Sequence, residues 1–194
     1  MKNVLWVDCC IRGEESRTLR LSRAFLDALP QDCRVTHLDL MQLQPRYFFG
    51  DYLEERQKLL EQGNLSHPRF DLAHQFAAAD EIVVSAPFWD LSFPALLKVY
   101  IEQVSLDGIT FASTEAGLVG RCRAERMVYL TTRGGFYTGD KLEMGSRYMQ
   151  ALCKFFGIDR YDCVAADGMD VAGFDGEGSL RAAMDKAAAL ARTF

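Results

Sequence analysis

The chain has little of what metal centres and side-chain acid–base sites are built from. Its three histidines, His37, His67 and His74, are scattered, and its six cysteines show neither a CxxC pair nor any metal-ligand spacing. No bound metal is expected, and no catalytic side chain is singled out. No apolar run approaches the roughly 20 residues that cross a bilayer, so no membrane partner is expected. No basic run offsets the net charge of −5, which argues against nucleic acid as a partner. Neither a Walker loop nor a GxGxxG is present, leaving nucleoside triphosphatases and dinucleotide Rossmann sites unsupported. Internal repeats, low-complexity tracts and linkers are also lacking. A strand-like run begins by Val4 and leaves no room for a signal peptide, so the expectation is a cytoplasmic protein with reduced thiols.

What is present is ample material for a core. With 49% hydrophobic and 25% charged residues, 194 residues are expected to form one compact domain spanning 1–194. Strand-like and helix-like segments alternate throughout. Val4–Asp8, Cys33–Leu40, Glu81–Ser85, Arg126–Thr131 and Tyr161–Ala166 read as strands. Leu21, Ala24, Phe25, Ala28 and Leu29 fall at intervals of three and four, one face of a helix. Further helices are expected over Asp51–Gly63, Arg69–Ala79, the Leu97-to-Val104 stripe, Lys141–Phe156 and the Leu180-to-Ala191 stripe. Five strands interleaved with helices predict a parallel sheet covered on both faces, a three-layer α/β sandwich. Of the two common doubly wound orders, the five-strand flavodoxin-like one (2-1-3-4-5) fits this count better than the six-strand one.

In that order the loops after strands one, three and four meet at one edge. They are Cys9–Thr18, Pro87–Ser92 and Thr132–Gly135. Ser16, Arg17 and Thr18 begin a helix, where free N–H groups, the helix dipole, hydroxyls and a guanidinium suit a phosphate; Ser and Thr are also ordinary N-caps. Glu14 and Glu15 would repel a phosphate if they faced it, and Arg12 and Arg17 could offset them. The stretch Ser85–Lys98 carries Phe88, Trp89 and Asp90 on a turn stiffened by Pro87, and reads either as the wall of a flat-ligand site or as a plug on the sheet end. Gly134 and Gly135 let a backbone approach a ligand, or make an ordinary turn. Together the loops suit a ligand with one phosphate and one flat ring, the shape of flavin mononucleotide (FMN).

The stretch from Ala86-Pro87-Phe88-Trp89-Asp90-Leu91-Ser92-Phe93-Pro94 to Lys98, with Gly108-Ile109-Thr110-Phe111, Thr131-Thr132-Arg133-Gly134-Gly135 and Phe155-Phe156-Gly157-Ile158, resembles the FMN-dependent NADH-azoreductases. These also act as NADH:quinone oxidoreductases and belong to the flavodoxin-like superfamily. The resemblance covers essentially the whole chain. It implies that Ser16, Arg17 and Thr18 hold the FMN phosphate, with Cys10 beside the phosphate or ribityl chain. It implies further that Phe88, Trp89, Asp90 and Leu91 line the isoalloxazine, and that Thr132, Arg133, Gly134 and Gly135 border its pyrimidine edge. A homodimer with flavin sites at the interface is implied too, the helix after Pro94 taking part.

The activity implied is hydride transfer from NADH or NADPH through FMN to a quinone or azo compound. Chemistry then resides on the cofactor, with Arg133, Gly134 and Gly135 as candidates for stabilising charge on the reduced ring. Three departures bear on this. The family usually has serine where Cys10 stands and asparagine where Asp90 stands; a carboxylate facing the ring would disfavour the anionic reduced flavin. The segment between Phe111 and Arg126 is short for the family, and Tyr47-Phe48-Phe49 matches no family motif, being expected in core or dimer contact rather than a substrate cage. The alternatives are a flavodoxin-like electron carrier or flavin-binding regulator without turnover, or a homologue that has lost FMN.

Overall fold

The computed structural model describes Met1–Phe194. In chain order the elements are β1 (Lys2–Asp8), α1 (Arg17–Leu26), β2 (Cys33–Asp39), α2 (Leu40–Leu43), α3 (Asp51–Glu61), α4 (Asp71–Ala78), β3 (Glu81–Ser85), α5 (Ala95–Val104), β4 (Phe111–Thr114), β5 (Gly117–Gly120), β6 (Arg126–Thr132), α6 (Gly145–Phe156), β7 (Arg160–Ala166) and α7 (Gly176–Ala191). Five strands form one parallel sheet in the order β2-β1-β3-β6-β7, the topology expected from the alternation.

Side-chain alternation along the strands builds two cores. Leu5, Val7, Ile82, Val84, Met127 and Tyr129 face Phe76, Tyr100 and Phe156 of α4, α5 and α6. Val4, Trp6, Val83, Val128 and Leu130 face Phe25 of α1 and Leu180 of α7. Each large apolar side chain buried this way contributes about 1.5–3 kcal/mol. Every residue of β3 is buried, which explains why it reads as an unbroken apolar run rather than an alternating one.

Register then brings the site loops together. Asp8 at the end of β1 pairs with Ser85 at the end of β3, and Ser85 pairs with Leu130 near the end of β6. The chain segments leaving these strands therefore emerge side by side. Phe88 N–H donates to the Thr132 carbonyl at 3.1 Å, tying the second loop to the third.

Three elements differ from expectation. A 3-10 turn over Pro68–Phe70 precedes α4, and α6 starts at Gly145 rather than Lys141, because Asp140 and Glu143 fold the intervening residues into a turn. The residues between Phe111 and Gly120 form a β4–β5 hairpin outside the main sheet. Cys122 N–H donates to the Phe156 carbonyl and Arg123 N–H to the Ala77 carbonyl, fastening the hairpin's return at the amino ends of the strands. Gly120 lies so close to the α6 terminus that a Cβ there would sit 2.0 Å from the Gly157 nitrogen. No helix is long and apolar enough to cross a membrane.

Candidate functional site

A cavity of about 550 Å³ opens at the carboxyl ends of β1, β3 and β6. That volume is in the range of small-molecule and cofactor sites. Of the residues singled out from the sequence, Ser16, Arg17, Thr18, Phe88, Trp89, Asp90, Leu91, Thr132, Arg133, Gly134 and Gly135 all line it. Cys10 does not.

The first wall is the start of α1. Ser16 is its N-cap, with Oγ accepting the Leu19 N–H at 3.2 Å. The other first-turn N–H groups have no acceptor within the helix, and the dipole places partial positive charge there. Arg17 reaches across the mouth, Nη1 lying 2.7 Å from Oδ1 of Asp170. Glu14 and Glu15 do not line the cavity, and each is paired with an arginine. Glu14 is held by Arg23 at 2.6 Å, and Glu15 pairs with Arg12 at 3.4 Å. The Thr18 hydroxyl is buried and bridges to the Thr132 hydroxyl at 2.7 Å, so its side chain joins the first loop to the third.

Cys10 stands behind the cavity wall rather than on it, its thiol next to the side chains of Asp8 and the lining residue Ser16. Its side chain continues the α1-facing row of β1 and packs into the core with Trp6 and Leu19. Burial, reinforced by the charge of Asp8, pushes its thiol well above the ordinary range. Burial likewise pushes the Cys9 thiol up to about 12, so neither is a reactive thiolate at neutral pH.

The second wall is a two-residue turn. Trp89 and Ser92 exchange both backbone hydrogen bonds, at 3.2 and 2.8 Å, around Asp90 and Leu91, whose φ values are +48° and +68°. Two successive positive φ values define a type I′ turn, and Asp is among the few non-glycine residues that enter this region readily. Trp89 and Leu91 stand 44% and 40% exposed at the rim. Phe88 turns inward against Tyr137, ring centroids 4.6 Å apart. The Asp90 and Leu91 N–H groups donate to no acceptor within the protein.

The third wall repeats that feature. Gly134 and Gly135 also have N–H groups without an internal acceptor, while their carbonyls receive Asp170 N–H and Gly168 N–H, each at 2.9 Å. Arg133 behaves differently from expectation. It is 3% exposed, with its guanidinium 3.3 Å from both Glu143 and Asp167. Asp167 in turn accepts the Tyr137 and Thr138 N–H groups at 3.0 and 2.7 Å. One cation between two carboxylates offers the cavity no net positive charge. Arg133 shapes the loop instead.

Tyr137, Met169 and Asp170 complete the lining and went unrecognised in the sequence. Met169 and Asp170 follow β7, the neighbour of β6, so extending the edge rule by one strand would have found them. The three histidines are elsewhere: His37 lies 3.1 Å from Asp8, His67 accepts from Arg69 N–H, and His74 meets the Leu65 carbonyl. Tyr47-Phe48-Phe49 is also outside the cavity. Phe48 stacks on Tyr52, while Tyr47 and Phe49 are 66% and 76% exposed, so the cluster is not core.

Comparison with known proteins converges on this architecture. The family described as flavodoxin-like fold matches residues 2–191. An FMN-dependent NADH:quinone oxidoreductase of Clostridium perfringens is 36% identical over 199 residues, covering 100% of both chains. An FMN-dependent NADH:quinone oxidoreductase 2 of Clostridium acetobutylicum is 36% identical over 202 residues, again covering 100% of both. The crystal structure of an azoreductase from Bacillus anthracis superposes with a TM-score of 0.89 at 27% identity, covering 100% of both chains. The chain belongs to the flavodoxin-like fold family and, within it, to the family of the FMN-dependent NADH:quinone oxidoreductases.

Proposed function

We propose that this protein is an FMN-dependent oxidoreductase that takes hydride from NADH and reduces quinones or azo compounds by two electrons. The observation that carries the reading is the set of uncommitted donors in one cavity. The N–H groups of Asp90, Leu91, Gly134 and Gly135 have no internal acceptor, and the cavity they line also holds the first turn of α1. A ligand bearing one phosphate and a flat, heteroatom-edged ring satisfies both. FMN is such a ligand, and when bound it supplies the two-electron carrier between NADH and the acceptor.

The protein's own part is binding and orientation. Arg17 and the α1 amides receive the phosphate. The amides of the second and third loops hold the ring edge, where preorganised donors favour the accumulation of negative charge. Phe88 and Trp89 exclude water from one side of the ring site. Arg133, balanced by Glu143 and Asp167, keeps the third loop in shape. This scheme needs no side-chain acid or base, the chemistry residing on the cofactor.

The exposed apolar rim supports a homodimer. Trp89 and Leu91 are exposed there, Met144, itself 48% exposed, donates its N–H to the Leu91 carbonyl at 2.9 Å, and Leu142, two residues before it, is 56% exposed. A second subunit covering this rim would close the flavin site at the interface. The six free cysteines fit a reducing compartment, and we place the enzyme in the cytoplasm.

The test is the absorbance spectrum of the purified protein, then a titration with FMN. Yellow protein, or flavin uptake on titration, is expected; colourless protein that takes up no FMN would overturn the proposal. Anaerobic NADH should bleach the bound flavin rapidly, and a quinone should restore the colour. Flavin that NADH leaves unbleached would instead indicate an electron carrier.

A further inference from the structure

Resting on the FMN assignment proposed above, we infer that Asp170 is an internal competitor for the cofactor's phosphate and so a specificity residue of the site. Its backbone is fixed. Asp170 N–H donates to the Gly134 carbonyl at 2.9 Å, and the flanking Met169 N–H donates to the Arg133 carbonyl at 3.0 Å. From that anchorage the carboxylate spans the cavity mouth. Oδ1 lies 2.7 Å from Nη1 of Arg17, and Oδ2 sits so close over Gly134 that a Cβ there would be 2.7 Å away. The carboxylate therefore lies directly over the Gly134 backbone.

The cation most suited to a phosphate at the start of α1 therefore already has an anionic partner. Neighbouring ion pairs do not share this role. One turn on, Arg20 and Glu177 form a separate two-bond pair at 3.1 and 2.8 Å, and neither lines the cavity. Arg12, also on the wall, is paired with Glu15, which does not line the cavity. Asp170 is the carboxylate that both faces the cavity and holds a phosphate-side arginine. The Arg17–Asp170 pair is solvent-accessible, at 39% and 69% side-chain exposure, so it can open at modest cost. An arriving phosphate must take Arg17 from Asp170 or share it, with a like charge beside it. A flavin without phosphate meets no such competition. Asp170 thereby makes the cofactor exchangeable, re-forming its pair with Arg17 whenever the phosphate leaves.

The experiment is a fluorescence-quenching titration of the full chain, freed of flavin, with FMN and with riboflavin, comparing wild type and Asp170→Asn. The variant should bind FMN about three- to tenfold more tightly, the effect of one partly screened charge contact. Riboflavin affinity should stay within about twofold, and the FMN gain should shrink as salt is raised past the screening limit. Unchanged or weaker FMN binding, or an equal gain for riboflavin, would overturn the inference; weaker binding of both flavins would mean that Asp170 grips the sugar chain instead. If wild type binds neither flavin, the proposed function itself fails, which is a separate result. Asp170→Ser removes the same charge and gives the same reading should Asp170→Asn fold poorly.

Discussion

Arg133→Met offers the sharpest test of how the third loop is held. The native side chain is 4% exposed, and the carboxylates 3.3 Å from it on Glu143 and Asp167 are 6% and 15% exposed. Methionine fills similar space but leaves two largely buried carboxylates without their cation. Breaking a buried ion pair in this one-sided way costs about 3–5 kcal/mol, whereas replacing both sides costs far less. In a chain of this size each kcal/mol lowers Tm by about 2–4 °C, so a drop of roughly 6–20 °C is expected. Urea unfolding followed by circular dichroism at neutral pH gives the free energy directly. Adding Glu143→Gln to the variant removes one orphaned charge and should recover about 1–2 kcal/mol, a coupling expected of residues in one network. Arg133→Lys should fall between, because a single ammonium cannot reproduce the forked contact with two carboxylates. A loss below about 1 kcal/mol for Arg133→Met, or a double variant no more stable than the single, would refute the view that the network is what holds the loop.

Other consequences can be checked alongside it. Gly120→Ala should cost about 3 kcal/mol or more in the same unfolding assay, since its Cβ would lie 2.0 Å from a backbone nitrogen that has no room to retreat. Cys9, Cys122 and Cys153 each have thiols raised by burial from 9.0 to about 12. Their folded values lie above their unfolded ones, so the stability they contribute is fully present below pH 9 and lost as pH rises towards 12. Each should lower the unfolding free energy by about 1.4 kcal/mol per pH unit in that window, and Cys153→Ala should flatten the slope by one such share. Asp90→Asn should leave FMN affinity within about threefold, because asparagine tolerates the same left-handed backbone and the free amide at that position is unchanged. A change beyond tenfold, read by flavin fluorescence, would show that the carboxylate touches the ring.

The fold was legible because strong local patterns coincided with its main elements. Glu81–Ser85 reads as a strand in the sequence and has those bounds in the structure, and α6 ends at Phe156 as expected, closed by Gly157 as a left-handed cap with φ +78°. The β4–β5 hairpin was not legible. Its strands are four residues each, none of them fully buried and β5 bounded by glycines, so neither periodicity nor an apolar run marks them. In the site, residues given by loop position were found, since strand order alone brings those loops together. What escaped was side-chain direction. Arg133 turns to the carboxylates of Glu143 and Asp167, and Asp170 enters from a fourth loop. The Arg133–Asp167 and Arg17–Asp170 pairs join residues far apart in sequence, which spacing along the chain does not encode.

The contact between Gly120 and the end of α6 has a practical corollary. It pins the hairpin to the amino-terminal rim of the sheet, with Cys122 and Arg123 tied to Phe156 and Ala77, while the cavity opens at the opposite rim. Within one subunit, changes in length at the hairpin tip therefore fall far from the cavity. The exposed tip at Glu115 and Ala116 is a natural graft point: a tag, fluorophore or surface-tethering peptide inserted there would sit at the rim opposite the cavity of its own subunit.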